Sequence, residues 1–287
     1  MRYILSSRER RVLRKFALSN TLVALDFDGT LAPIVRDRHR AAIRQSTRNL
    51  LAMLAKLYPC VVISGRSRKD VRRRLRGIGI RGIVGNHGIE PWSATPGMER
   101  SVRRWLPLLK DKLRQFHGVA IENKRFSVAI HCRHEPRKKE ARATVAAAAR
   151  ELGAVRLVGG KEVVNLLPAG APDKGLALKR EMLKMGCTKA IYVGDDETDE
   201  DVFALGGRFL TIRVGAARSS FAGFYVRSQR EIDRLLEALI ELRSDHNLRP
   251  FPSRSAAAAP SMSGRHGIQA APSPRKNANE SSKASAE

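Results

Sequence analysis

A chain of 287 residues with 43% hydrophobic side chains can bury one core and a second, smaller domain, and its three cysteines contain no Cys-x-x-Cys pair, which argues for reduced thiols over a disulfide framework. No apolar run approaches the ~20 residues of a spanning helix, and MRYILSSRERRVLRKF lacks the continuous apolar stretch of a secretory leader, so a cytoplasmic protein without a membrane segment is expected. A formal charge of +26 favours anionic ligands, yet aromatic residues make up only 5%, too few for the interleaved stacking of a single-strand binder; nucleic-acid or polyanion binding is therefore the minor alternative to a small anionic substrate.

In chain order, TLVALD (21–26) reads as a short buried strand that ends in an acid. Ile43, Thr47, Leu50, Leu51, Leu54 and Leu57 follow at three- and four-residue spacing, one apolar face of a helix. CVVIS (60–64) and GIVG (82–85) are further strands, and the alternation of strand and helix predicts right-handed crossovers and a doubly wound parallel sheet. From 101 to 168 the rhythm breaks. Phe126, Val128, Ile130 and Cys132 alternate with Ser127, Ala129, His131 and Arg133, as in a half-buried antiparallel strand, and an Ala-rich helix near 136–151 and two short strands complete an inserted α+β unit.

The helix DKGLALKREMLKM then leads to the strands AIYVGD (190–195) and FLTIRV (209–214). Ser228 and Glu231 form a capping-box pattern ahead of a closing helix with Ile232, Leu235, Leu236, Leu239 and Ile240 on one face. The last stretch, 244–287, is rich in Pro, Ser and Ala and poor in large apolar residues, so disorder is expected there. It carries six Lys/Arg and three acids, and most of the excess charge therefore lies on the folded part. The expected organisation is an α/β core of residues 1–100 and 169–243, an α+β cap of residues 101–168 and a tail of residues 244–287.

Chemistry concentrates at the strand ends. In Asp26-Phe27-Asp28-Gly29-Thr30-Leu31, two carboxylates at i and i+2 converge at the carboxyl end of a parallel strand, where one can attack phosphorus while the other moves protons. A second acidic cluster, Asp195-Asp196-Glu197-Thr198-Asp199-Glu200-Asp201, also follows a strand. So many acids repel one another unless a cation sits among them, and Mg²⁺ suits carboxylate oxygens. Ser64-Gly65-Arg66 offers a hydroxyl and backbone N–H groups to a phosphate, and Lys174 at a helix start can offset charge on a transferring group.

With DFDGTL, SGRS, Lys174-Gly175 and GDDETDEDVF in this order, the chain resembles haloacid-dehalogenase phosphatases and, within them, the trehalose-6-phosphate phosphatases, over about 22–238. Gly85-Asn86-His87-Gly88 with Glu90, and Glu122-Asn123-Lys124 leading to His131 and Arg133, carry the narrower likeness. The resemblance implies a haloacid-dehalogenase-like core with Asp26 as nucleophile and Asp28 as acid/base. It places Mg²⁺ on Asp26, Asp195 and the Asp28 carbonyl, with Asp196 and Asp199 in support, and sets Ser64, Gly65, Arg66 and Lys174 around the phosphate. Glu122, Lys124 and Arg133 are implied on the sugar, and Asn86, His87 and Asn165 among the other substrate-binding residues. Cys132 stands where the family usually has an aromatic residue, and Asn165 where it usually has Glu. His131 is read as a structural histidine. The reaction expected is hydrolysis of trehalose 6-phosphate. The alternatives are another sugar phosphate, such as a mannosylglycerate or sucrose precursor, or a polyanion binder on a retired phosphatase fold.

Overall fold

A computed structural model describes residues 1–160 and 162–245. The core opens with β1 (Arg2–Tyr3), α1 (Arg10–Ala17), β2 (Thr21–Leu25), α2 (Gln45–Leu57), β3 (Cys60–Ile63), α3 (Arg68–Arg74) and β4 (Gly82–Val84). The insertion comprises α4 (Pro96–Lys112), β5 (Ala120–Asn123), β6 (Val128–His131), α5 (Lys138–Glu151), β7 (Val155–Gly160) and β8 (Val163–Pro168). The chain then re-enters the core through α6 (Lys174–Lys184), β9 (Lys189–Gly194), α7 (Glu200–Phe203), β10 (Phe209–Val214), β11 (Phe224–Val226) and α8 (Ile232–Ser244). The expectation of a disordered tail falls, from residue 246 onward, outside the described residues.

Seven parallel strands form the core sheet in the order β1-β11-β10-β9-β2-β3-β4. All five residues of β2 are buried because both faces of the sheet are covered, so the strand reads as a continuous apolar run. Val23 and Leu25 join Leu51, Leu54, Leu235 and Leu239 from α2 and α8 on one face; Leu22 and Ala24 join Leu178, Met182 and Phe203 from α6 and α7 on the other. Each fully buried aliphatic side chain of this kind contributes roughly 1.5–3 kcal/mol. The capping box expected at the last helix does not form. Ser228 makes no side-chain cap, and Glu231 instead accepts from the Arg227 N–H at 2.8 Å and from the Tyr3 hydroxyl at 2.8 Å, which ties the closing helix to β1.

The cap is a four-stranded antiparallel sheet, β5-β6-β8-β7. Val102, Trp105 and Leu109 of α4 and Val145 and Ala148 of α5 pack on Val128 and Ile130 of its helix-covered face. A boundary at 100/101 therefore falls inside α4, which starts at Pro96 with Thr95 accepting from the Met98 N–H. The opposite face is fixed by register: Glu122 pairs Ala129, and Ala129 pairs Asn165, so the three stand in one row across the sheet. His131, two residues beyond Ala129, shares that face. The simple half-buried alternation expected for β6 is thus modified, since Ser127 and Ala129 are fully buried as well.

Candidate active site

Strands β9, β2 and β3 lie side by side, and each is followed by a polar residue with chemistry: Asp195, Asp26 and Ser64. The Asp26 N–H still donates to the Val193 carbonyl at 2.9 Å, so the sheet fixes the backbone of Asp26 itself. Lys174 is the first residue of α6, whose start is capped by Asp173 accepting from the Leu176 N–H at 2.7 Å. Its Nζ lies 3.0 Å from Asp26 Oδ1 and 2.7 Å from Asp199 Oδ1, in a setting only 2% exposed. Burial alone would lower the Lys174 pKa, but Asp199 and Asp26 outweigh it and the ammonium is held charged. Burial pushes Asp26 well above the usual carboxylate range, against the pull of Lys174.

Among the described residues, Asp26, Asp195 and Asp199 bring carboxylate oxygens within 4.8 Å of one another. Asp199 accepts four donors: Lys174 Nζ and the Tyr192 hydroxyl, each at 2.7 Å on Oδ1, and the N–H groups of Asp195 and Asp196 at 2.8 and 2.9 Å on Oδ2. These occupy the lone pairs a carboxylate offers. Asp199 therefore builds the turn and holds Lys174, whereas Asp26 and Asp195 are the carboxylates suited to a cation. With all four groups ionised, three acids and one ammonium carry a formal net charge of −2, and oxygen donors of this kind fit a hard divalent ion such as Mg²⁺. Gly29 keeps the approach open: at φ +80°, a Cβ there would meet Asp195 Oδ2 at 2.2 Å. Asp196, expected among the ligands, lines the cleft but lies outside this carboxylate group, as does the Asp28 side chain.

Arg66, expected at the phosphate through its backbone N–H, has a side chain engaged by neighbouring acids. Its Nε and Nη2 hold the two Asp28 oxygens at 2.6 and 2.7 Å, Nη1 reaches Asp70 at 2.7 Å, and Nη2 also donates to the Arg38 carbonyl at 2.8 Å. A guanidinium engaged in this way orients Asp28. Asp70, between Arg74 and Arg66, is pulled down to about 2 against the upward push of burial.

Asn86, expected among the substrate-binding residues, has its side chain engaged by Glu90, Lys124 and Ser127. It sits in a left-handed turn with His87, at φ 50° and 58°, and is fully buried. Its amide donates to Glu90 at 2.7 Å and to the Lys124 carbonyl at 3.2 Å, and it accepts from the Ser127 hydroxyl at 2.6 Å, so it clamps cap to core. His87 is 6% exposed and lines the cleft with Ser64, Lys174 and Asn165. Burial, with Lys124 nearby, pushes its pKa well down, so it is neutral.

A cleft of about 950 Å³ joins these groups to the cap face. Lys124 Nζ donates to the Gly65 carbonyl at 2.9 Å and to Asn165 Oδ1 at 3.2 Å, and Arg133 Nη1 to the Val35 carbonyl at 2.8 Å. Glu122 pairs with Arg38, and His131 Nε2 lies 3.0 Å from Arg38 Nη1. His131, read in the sequence as structural, lines the cleft, and Arg38 was not singled out there. The strand register would have placed His131 on the cleft face; Arg38 lies in a loop with no motif to signal it.

Residues 24–231 match the model of the Trehalose-phosphatase family. The chain belongs to that family. The trehalose-phosphate phosphatase of Mycobacterium ulcerans is 33% identical to it over 257 residues, covering 82% of this chain and 61% of the relative. An "uncharacterized glycosyl hydrolase" of Mycobacterium tuberculosis is also 33% identical over 82% of the chain, which spans only 18% of that much longer protein. The trehalose-6-phosphate phosphatase C-terminal domain of C. albicans has the same fold, with a TM-score of 0.70, 21% identity and coverage of 81% of this chain and 97% of that one. A trehalose-6-phosphate phosphatase related protein gives a TM-score of 0.65 at 25% identity, covering 79% of this chain and all of the other. The parallel-sheet core and its inserted cap are thus the fold shared with both solved structures. Among the described residues no helix is long and apolar enough to cross a membrane.

Proposed function

We propose that the protein hydrolyses trehalose 6-phosphate to trehalose and phosphate through an aspartyl-phosphate on Asp26. The observation that carries this reading is the Lys124 contact with the Gly65 carbonyl, which brings the polar row of the cap directly over the loop that follows β3. The membership of the Trehalose-phosphatase family supplies the sugar. Asp26, with one oxygen held by Lys174, attacks phosphorus in line; Asp28 protonates the departing sugar oxygen and later takes a proton from the water that cleaves the acyl phosphate. Asp26, Asp195 and the Asp28 carbonyl would hold Mg²⁺, which neutralises charge on the phosphate oxygens when bound. Ser64 and His87 line the phosphate end of the cleft, and Glu122, Lys124, Arg133 and Asn165 meet sugar hydroxyls. Three free, buried cysteines suit the reducing cytoplasm.

Phosphate release from the purified full chain, across a panel of trehalose 6-phosphate, sucrose 6-phosphate, glucose 6-phosphate and a mannosylglycerate phosphate, tests the assignment. The highest kcat/KM is expected for trehalose 6-phosphate, with activity lost in chelator and regained with Mg²⁺. Preference for another sugar phosphate would overturn the substrate, and undiminished activity in chelator would overturn the metal.

Lys124 gives the reaction a pH dependence. Burial, then repulsion by Arg38, pushes its ammonium down to about 7. An unfolded lysine holds its proton to about 10.4, so folding favours the neutral amine, the stability term rises with pH between those values, and the charge that grips the substrate falls through pH 7. KM for the sugar phosphate should rise roughly tenfold from pH 6 to pH 8 as about nine-tenths of the ammonium is lost. Lys124→Met should raise KM and remove this step, which separates it from titration of the substrate's own phosphate. The same step in parent and variant would contradict the assignment.

A further inference from the structure

Three contacts seat the cap on the core through side chains placed above at the sugar. Lys124 ends on the Gly65 carbonyl and Arg133 on the Val35 carbonyl. A backbone carbonyl is supplied by any residue at those positions. The third contact, Glu122 with Arg38, depends on a core side chain.

Arg38 begins a short turn, Arg38–Arg40, that Asp37 caps by accepting from the His39 N–H at 2.9 Å. Its guanidinium reaches two cap residues at once, Glu122 and His131 Nε2. Burial, with Arg38 close by, pushes His131 down to about 3, so the ring is neutral. His131 Nε2 also lies 3.2 Å from Glu122 Oε2, so Arg38, Glu122 and His131 form one cluster across the contact between cap and core. Behind the turn, the Arg38 carbonyl accepts from Arg66 Nη2 at 2.8 Å, the same nitrogen that holds Asp28 Oδ1. One residue thus touches the cap with its side chain and the anchor of the acid/base with its backbone. A planar fork suits this double reach, which an ammonium cannot reproduce in full.

We propose that Arg38 is a positioning residue that sets sugar specificity: it seats Glu122 and His131 over the cleft and thereby decides how tightly the cap holds the substrate. This rests on the phosphatase reading above and adds to it a residue of the core loop. Arg38 is not a contact to the reacting atoms; it acts through Glu122.

A double-mutant cycle tests that dependence. Arg38→Ala and Glu122→Gln, alone and together, are compared by kcat/KM on whichever sugar phosphate the panel shows to be turned over best, with Tm measured for each. Each single change should cost about tenfold, mainly in KM, and the double variant should lose about as much as one of them, because groups acting in one contact are not additive. Arg38→Lys, which keeps a charge for Glu122, should recover part of the loss. Losses that multiply to about a hundredfold, or an Arg38→Ala variant within twofold of the parent, would overturn the proposal. If Arg38→Ala fails to fold, Arg38→Gln replaces it in the cycle. Hydrogen exchange without substrate separates this from a failure of the trehalose assignment: amides of Ala120–Asn123 and of 34–41 should exchange faster in Arg38→Ala at unchanged Tm. Parent-like exchange in both segments would overturn the seating role whatever the substrate proves to be.

Discussion

Asp26→Asn is expected to abolish phosphate release while leaving the metal-free protein at least as resistant to heat as the parent. An amide has the shape of the carboxyl group and can still accept from Lys174, which lies 3.0 Å from Asp26 Oδ1, but it cannot attack phosphorus. A fall of at least about 10⁴-fold, or roughly 5.5 kcal/mol of transition-state stabilisation, is the size to look for. The stability half follows from the upward shift of Asp26. An acid whose folded pKa lies above its unfolded value loses stability as pH rises from the unfolded pKa to the folded one, so at neutral pH its charge is a cost to the fold. The neutral amide relieves that cost. Phosphate release within tenfold of the parent would remove Asp26 as nucleophile, and a collapse of Tm would mean that its charge holds the site together.

Lys174→Met should be damaging in a different way. The ammonium is buried and bridges Asp26 and Asp199, so its loss leaves like charges facing one another without water. Removing one partner of a buried ion pair costs about 3–5 kcal/mol. At roughly 2–4 °C per kcal/mol for a domain of this size, Tm should fall by about 6–20 °C. The deficit should shrink as pH falls toward 5 and the carboxylates take up protons, the reverse of ordinary acid destabilisation. Turnover should vanish with it, since the group that offsets charge during transfer is gone. A variant within about 2 °C of the parent at pH 7 would show that the carboxylates do not need Lys174.

Much of the candidate site's arrangement was legible because its residues follow the ends of the most apolar strands. TLVALD, CVVIS and AIYVGD could be read without a partner sequence, since a strand buried on both faces is a continuous apolar run, and the sheet then brings Asp26, Ser64 and Asp195 together. Lys174 was legible from its place at a helix start. What could not be read was which polar atoms satisfy one another. Asp199 and Asp196 look alike in the string GDDETDEDVF, but only Asp199 reaches back to two N–H groups and to Lys174. Asn86 and Arg66 resemble ligand-binding residues in their motifs, yet their donors are engaged by Glu90, the Lys124 carbonyl, Asp28 and Asp70. β1 and β11, two and three residues long, are too short to leave a periodicity. Arg38 and His131 meet only across the contact between cap and core, which no local pattern encodes.

The proposed division of labour, a core that transfers phosphate and a cap that reads trehalose, is tested most directly by kcat/KM on two substrates, trehalose 6-phosphate and a small aryl phosphate, in the parent, Glu122→Ala and Lys124→Ala. Each substitution removes a polar partner from a hydrogen-bonding site, worth on the order of 1–3 kcal/mol, or about tenfold to a hundredfold in rate. The expected result is that loss on trehalose 6-phosphate, with the aryl ester, too short to reach the cap, turned over at nearly the parent rate. Equal losses on both substrates, or no loss on either, would contradict a sugar-reading role for the cap face and with it the assignment of trehalose 6-phosphate.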